Sequence, residues 1–272
     1  MSPLISICIP TYQHGHFIAK TLAGCLSQQT DFQFEIVIGD DGSTDEAPHI
    51  IADYSAQFPD IIRAFLHEKN LGPSSPKELG GKNNVIFLFS QCRGKYIALC
   101  EGDDYWTDPL KLQQQVDFLE TNPAVSLTHH QVEVRYEDGS PSHLFNPLDQ
   151  STETTIVDLL SDTWYVATCS SVFRNVYQDG LPTWFFNTGS GDLGIFIIAA
   201  HHGKIQYFNQ SMGVYRRHRG GLSNFQHQAN RFFLENRLKL YQEVNEFYGD
   251  IYADAIRGSI EKYQTLLSKQ VL

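Results

Sequence analysis

The chain of 272 residues is long enough for one large α/β domain, alone or with a helical appendage, and short for two enzymatic domains. Hydrophobic residues make up 42% and charged residues 19%, which excludes a disordered or fibrous chain. The 31 acidic side chains against 20 basic ones give a formal charge of -11, a field that repels polyphosphate backbones, so no nucleic-acid partner is expected.

In chain order, Leu4 to Ile9 is a compact apolar run stopped by Pro10 and reads as a buried strand. Phe17, Ile18, Leu22, Cys25 and Leu26 then recur at helical spacing. A second strand, Phe34 to Ile38, ends in Gly39-Asp40-Asp41-Gly42-Ser43. Ile50, Ile51 and Tyr54 mark a helix, Ile61 to Leu66 a third strand, and Asn83 to Gln91 a further helix. Tyr96 to Cys100 is a fourth strand, ending in Glu101-Gly102-Asp103-Asp104. Strand alternating with helix predicts a mostly parallel sheet with helices on both faces, and ligands of such sheets sit at the carboxyl ends of the strands.

The second half is less regular. Val125 to Tyr136 predicts a long strand, Glu137 to Ser151 a loop, Ile156 to Leu160 a short helix, and Leu193 to Ala200 an apolar helix behind Ser190-Gly191-Asp192. Beyond Gly220-Gly221 the spacing is purely helical, from Phe232 to Leu267. The cysteines Cys8, Cys25, Cys92, Cys100 and Cys169 show no metal-ligand spacing and read as small core residues in a reducing compartment. Met1-Ser2-Pro3 leads straight into the first strand without a signal-peptide pattern. Apolar runs such as Ile195 to Ala200 fall far short of the ~20 residues that span a bilayer. A soluble, cytoplasmic protein is the expectation.

Four constellations could carry chemistry. Pro10-Thr11-Tyr12 and Asp40-Asp41-Gly42-Ser43-Thr44-Asp45 bring an aromatic ring and carboxylates to adjacent strand ends, where they suit a nucleobase or, equally, a turn and a helix cap. Glu101, Asp103 and Asp104 repel one another unless a cation offsets them, and oxygen ligands select magnesium or manganese. The alternative is an acidic surface turn, which the following Tyr105-Trp106 makes unusual. Asp192 opens the Leu193 helix as a cap or as a reactive carboxylate. Tyr215-Arg216-Arg217-His218-Arg219 concentrates positive charge, and its histidine could meet a metal or a diphosphate.

In this order and on these elements, the strings PTYQHGHFIAKTLAGCLSQ, EIVIGDDGSTD, EKNLG, GKYIALCEGDDYWTDPLKLQQQ and GVYRRHRGGLS resemble the family 2 glycosyltransferases of bacterial type. The resemblance runs from Leu4 to Ser223. It implies a GT-A, Rossmann-like fold: a mixed, mostly parallel sheet flanked by helices over residues 1–224, with a C-terminal helical extension over 225–272. It also implies that Pro10, Tyr12 and Asp41 hold the uridine of a UDP-sugar. Asp103 would lie near the ribose and metal, Asp104 would be the principal ligand of Mn2+ or Mg2+, and His218 would approach the metal or diphosphate. Asp192 matches the general base. The family's usual aspartate is replaced by Glu101, whose role stays open. The donor-contacting segment between Asn70 and Asn84 is longer here and rich in Pro and Gly, leaving Lys77, Lys82 and Asn83 as candidates.

The implied reaction is inverting transfer of a sugar from a nucleotide diphosphate to a hydroxyl of a saccharide or lipid-linked acceptor, in cell-surface polysaccharide or glycoconjugate synthesis. A sugar-phosphate nucleotidyltransferase and a non-catalytic nucleotide-sugar binder are the alternatives. The first normally has a Gly-rich basic loop after its first strand, where this chain has Thr11-Tyr12-Gln13-His14-Gly15. Trp164, Tyr165, Trp184, Phe185 and Phe186 could form a sugar platform or an ordinary core. The C-terminal helices are expected to pack on the catalytic domain or form a homodimer contact. Peripheral membrane association is less favoured, because Arg231, Arg237 and Lys239 are balanced by Glu235, Glu243, Glu246 and Asp250.

Overall fold

Ile5, Ile7 and Ile9 alternate with Ser6 and Cys8 along the first strand, β1 (Ile5–Thr11), so the isoleucines join the core on one face of the sheet and Cys8 the core on the other. A strand buried on both faces belongs in the middle of a sheet. β1 pairs in parallel with β2 (Phe34–Asp40) on one side and β4 (Tyr96–Leu99) on the other, and β3 (Ile62–Leu66) continues the parallel run beyond β2. The computed structural model describes residues 2–72, 81–161, 164–177, 180–221 and 230–269.

On the far side of β4 the sheet becomes mixed. The short β9 (Val172–Arg174) lies antiparallel between β4 and the long β6 (Val125–Tyr136), and β10 (Lys204–Arg217) runs parallel to β6. β5 (Tyr105–Trp106) closes that edge against β10, while β7 (His143–Leu144) and β8 (Glu153–Thr154) add short antiparallel pairings to β6 and β10. These depart from the sequence reading, which contained neither β5, β8, β9 and β10 nor the helix α4 (Lys111–Thr121) that follows β5, and took the stretch that holds β7 as the loop 137–151.

Helices α1 (Ile18–Leu26), α2 (Ala47–Gln57) and α4 cover one face, packing Ile18, Leu22, Ile51, Leu112 and Val116 on the β1 isoleucines. The other face carries α3 (Lys82–Gln91), α5 (Ile156–Leu160), α6 (Thr183–Asn187), α7 (Gly191–His201), α8 (Arg231–Tyr248) and α9 (Ala253–Lys269). α7 is buried along Leu193 to Ala200, as a helix apolar all round must be. All five cysteines are buried and unpaired. No helix among the described residues is long and apolar enough to cross a membrane.

The boundary expected between residues 224 and 225 lies outside the described residues. The two helices beyond it share the core of the sheet: Leu240, Tyr241, Val244, Ile256 and Tyr263 cluster with Leu193, Phe196 and Trp184. α9 is also tied to α5, where the Ser259 hydroxyl donates to the Leu160 carbonyl at 2.7 Å. Leu240→Ala removes a fully buried side chain from this junction. It should destabilise the protein by about 2–5 kcal/mol, read as a lower urea midpoint at unchanged slope.

Candidate active site

Parallel register puts the ends of β1 and β2 side by side, with Thr11 abreast of Asp40. The two aspartates there do different things. Asp40 is committed to the turn, accepting from the Ser43 hydroxyl at 2.6 Å and the Ser43 N–H at 2.8 Å. Asp41 is buried and accepts the Leu71 N–H on Oδ1 at 2.6 Å, while its Oδ2 is buried without a partner. Burial pushes the Asp41 carboxyl above its ordinary range, partly offset by that N–H. Gly42, at φ +74°, makes the turn possible, since a Cβ there would stand 2.7 Å from the Asn70 nitrogen. Tyr12 is 46% exposed beside this carboxylate, and the Pro10 carbonyl accepts from Gly102 at 3.0 Å, linking the rim to the next strand.

The carboxylates after β4 separate as well. Asp103 Oδ2 accepts from His218 Nε2 at 3.0 Å and lies 3.6 Å from His14 Nε2. These three residues offer ligand atoms all within 4.8 Å of one another, the one such group among the described residues. Thr11 Oγ1 contacts His14 Nδ1 at 3.2 Å and orients the ring. Gly102 is required here, because a Cβ would reach 2.8 Å from that Nδ1. Burial alone would raise the Asp103 carboxyl; the His218 hydrogen bond and the nearby His14 instead hold it below its ordinary range.

Asp104 is 2% exposed, accepts the Arg216 N–H at 2.8 Å and lies against Cys169, so burial and the neighbouring Asp103 and Glu101 push it well above its ordinary range. Asp103 faces both histidines, and Asp104 lies outside that group. Glu101 is half-buried, with its Oε2 buried and unpartnered; desolvation, then the charge of Asp103 and more weakly that of Asp192, push it up to about 8. Arg216 lies over Phe17 (4.8 Å) and Tyr105 (4.6 Å), with Nε and Nη2 buried and unpartnered in the field of Asp104 and Asp103.

Across the cleft, Asp192 sits in the first turn of α7 and accepts the Leu193 N–H on Oδ1 at 2.8 Å. Burial raises its carboxyl, and Arg237 of α8 opposes that rise. Arg237 is only 8% exposed, lies over the Phe233 ring at 5.2 Å and leaves Nε without a hydrogen bond. Sequence reading missed it: on an amphipathic helix it looks like one more balanced surface charge. Lys82 is buried at the start of α3, donating to the Phe185 and Thr188 carbonyls, and burial pulls it down to about 8. Asn83 donates to the Leu71 carbonyl at 2.7 Å, and Lys77 lies outside the described residues. Of the aromatic residues, Tyr165, Trp184 and Phe185 are core, and Trp164 and Phe186 are exposed.

The fold and this rim of carboxylates define a GT-A glycosyltransferase domain. The family model "Glycosyl transferase family 2" matches residues 6–181, and the chain belongs to that family. An uncharacterized protein of Mycobacterium tuberculosis is 36% identical over 234 residues, covering 86% of this chain and 64% of its own length. The chain thus spans just under two thirds of that relative. Among solved structures, Staphylococcus aureus TarS in complex with UDP aligns with a TM-score of 0.64 at 16% identity, over 97% of this chain and 70% of TarS. The mannosyltransferase PcManGT of Pyrobaculum calidifontis, in complex with GDP-Man and Mn2+, aligns with a TM-score of 0.61 at 15% identity, over 100% of this chain and 76% of its own.

Arg237 favours the ionised form of Asp192, so Arg237→Met should raise the Asp192 carboxyl further and confine its charged form to higher pH. A carboxyl-carbon NMR titration would show the Asp192 transition moving to higher pH in Arg237→Met and back in Arg237→Lys. An unmoved transition would disconnect the two residues.

Proposed function

We propose that this chain catalyses inverting transfer of a sugar from a UDP-sugar to an acceptor hydroxyl, with Asp192 as general base. The observation that supports the reading is that Asp192 lies close enough to Glu101 for its charge to raise that carboxyl, in the same turn that carries Asp103 against His14 and His218. An acceptor hydroxyl is a poor nucleophile, and a carboxylate held above its ordinary range is a better base for its proton. One base and one in-line displacement invert the anomeric centre, giving a β-linked product from an α-linked donor.

The free Asp41 Oδ2 supports uracil as the base. Uracil presents one imide N–H, whereas guanine presents two adjacent donors that want both carboxylate oxygens, and Leu71 already occupies Oδ1. Tyr12 offers an exposed ring on which the base can stack.

The metal-facing carboxylate in this reading is Asp103 rather than Asp104, with His218 and His14 beside it. Atoms 3.0 and 3.6 Å apart match neighbouring ligands on one ion, which at about 2.1 Å from each are roughly 3 Å apart. Two imidazoles and a carboxylate suit Mn2+ better than Mg2+, which prefers oxygen. A bound ion would stabilise negative charge on the departing diphosphate. Arg216, with unpartnered guanidinium nitrogens beside Asp103, would contact the same diphosphate.

Asp192→Asn separates the base from a mere helix cap, since asparagine caps as well as aspartate. UDP release in the presence of acceptor should fall by about 10²–10⁴ while UDP affinity stays constant. A near-normal rate, or a retained anomeric configuration, removes Asp192 from the chemistry. For the metal, Asp103→Ala should abolish the manganese dependence of UDP binding in calorimetry. Asp104→Asn should keep that dependence, and the reverse pattern would return the ligand role to Asp104.

A further inference from the structure

Asp192 stands on a helix start that does not fix itself. α7 begins at Gly191, and its N-cap, Ser190, makes no side-chain capping bond. The segment that leads into it, Gly189-Ser190-Gly191, has the backbone freedom of two glycines. Such an end frays unless another element holds it. The element that does so is the first turn of α3. Lys82, its first residue, is 8% exposed and donates to the carbonyls of Phe185, in α6, and Thr188, just beyond it. Its Nζ also stands 4.4 Å from the Phe185 ring centroid.

That grip reaches Asp192 from both sides. A Cβ on Gly191 would lie 3.7 Å from Lys82 Cγ, and a Cβ on Gly194 would come within 2.9 Å of Phe185 Cδ2. The lysine stem and the phenylalanine ring therefore bracket the turn of α7 that carries the carboxylate. The start of α3 is itself anchored on the sheet: Asn84 Nδ2 donates to the Gly39 carbonyl of β2 at 2.7 Å. Asn83 Nδ2 donates to the Leu71 carbonyl at 2.7 Å, and the Leu71 N–H binds Asp41 at 2.6 Å. Lys82, Asn83 and Asn84 thus tie the α6–α7 turn, the Leu71 loop and the end of β2 to one helix start.

The choice of a lysine points the same way. An ammonium taken out of water is costly, and Lys239 of α8 adds like-charge repulsion. A methionine would fill the same space without that cost. What an apolar side chain cannot supply is hydrogen-bond donors for two carbonyls at once.

We infer that Lys82 is a positioning residue for the general base: it holds the α6–α7 turn against α3 and so fixes the first turn of α7, on which Asp192 stands. The consequence for turnover rests on the transferase reading, whereas the fixing of the turn does not. Lys82 then serves the base side, in place of the donor contact for which it was a candidate.

Hydrogen exchange of the unliganded protein, read by NMR, tests the fixing. The Gly194 N–H donates to the Ser190 carbonyl at 3.0 Å, and the Leu193 N–H to Asp192 Oδ1. In Lys82→Met both amides should exchange at least about tenfold faster, while Ile197 and Ile198, deeper in α7, keep their protection. Lys82→Arg, which retains the donors, should keep both amides slow. Methionine preserves the apolar stem and removes a buried charge, so the urea midpoint should not fall. In turnover, Lys82→Met should lower kcat about ten- to hundredfold, with donor KM and UDP affinity constant. The inference is overturned if the two amides are unchanged in Lys82→Met. It is equally overturned if protection falls alike along the whole of α7, the mark of a lysine that only stabilises the fold. A loss confined to donor KM or UDP affinity also overturns it, since Lys82 would then be a donor contact. Failure of the transferase reading shows separately, as an undiminished rate in Asp192→Asn.

Discussion

The parallel pairing of β1 with both β2 and β4 is the constraint from which the site follows. Once Ile7 is level with Ile36 on one side and Ala98 on the other, the three strands end on one rim. Tyr12, Asp41 and the Glu101 to Asp104 turn are then brought together, although ninety residues of chain separate the first from the last. Everything on that rim sits where backbone pairing stops and side chains must satisfy the exposed ends. Turn residues serve that need at Asp40 and Gly42, and the side chains left over face the cleft.

Charge is the second constraint. Asp104 is buried and Glu101 and Asp103 are half-buried close beside it in a chain of formal charge -11, so the three cannot all ionise freely. The structure divides them. Asp103 stays charged beside His218 and His14, while Asp104 rests on the Arg216 amide. Glu101 is pushed to about 8, so it holds its proton at neutral pH. Its folded value lies above its unfolded one, so the stability it contributes is fully present below about 4.5 and is lost as pH rises through about 8. A cation at Asp103 would relieve the same repulsion.

Much of this was legible in the residues. β1 to β4 are short apolar runs between turn residues, and their alternation with helical spacing could be read directly into a mostly parallel sheet. β10 could not be read, because its middle, Asn209, Gln210 and Ser211, is exposed and its register on β6 shifts around Ser211, which breaks the two-residue period. α4 carries apolar residues at Leu112, Val116 and Leu119, but its first residue is a fully buried lysine stacked 3.9 Å from the Trp106 ring, which disguises the apolar face. Which of Asp103 and Asp104 faces the histidines depends on a chain reversal that composition does not encode. Arg237 was invisible for a related reason: a charge on a helix reads as solvated until tertiary packing closes over it.

The family pattern stops at residue 181, and the candidate site straddles that boundary. Pro10, Tyr12, Asp41 and Asp103, the groups assigned here to the nucleotide and metal, lie inside it. Asp192 and Arg237 lie beyond it on α7 and α8, and Arg216 and His218 lie beyond it at the end of β10, where they meet the Asp103 turn. The residues at the paired strand ends are held by the sheet itself. Asp192 and Arg237 instead hang on helices that meet through side chains: α6 packs against α8, and Asn187 reaches Glu243 at 3.4 Å. Such contacts can be repacked while the sheet stays fixed. The C-terminal helices belong to this argument, because α8 brings Arg237 under Asp192 and closes the core behind the wall from which Phe186 projects.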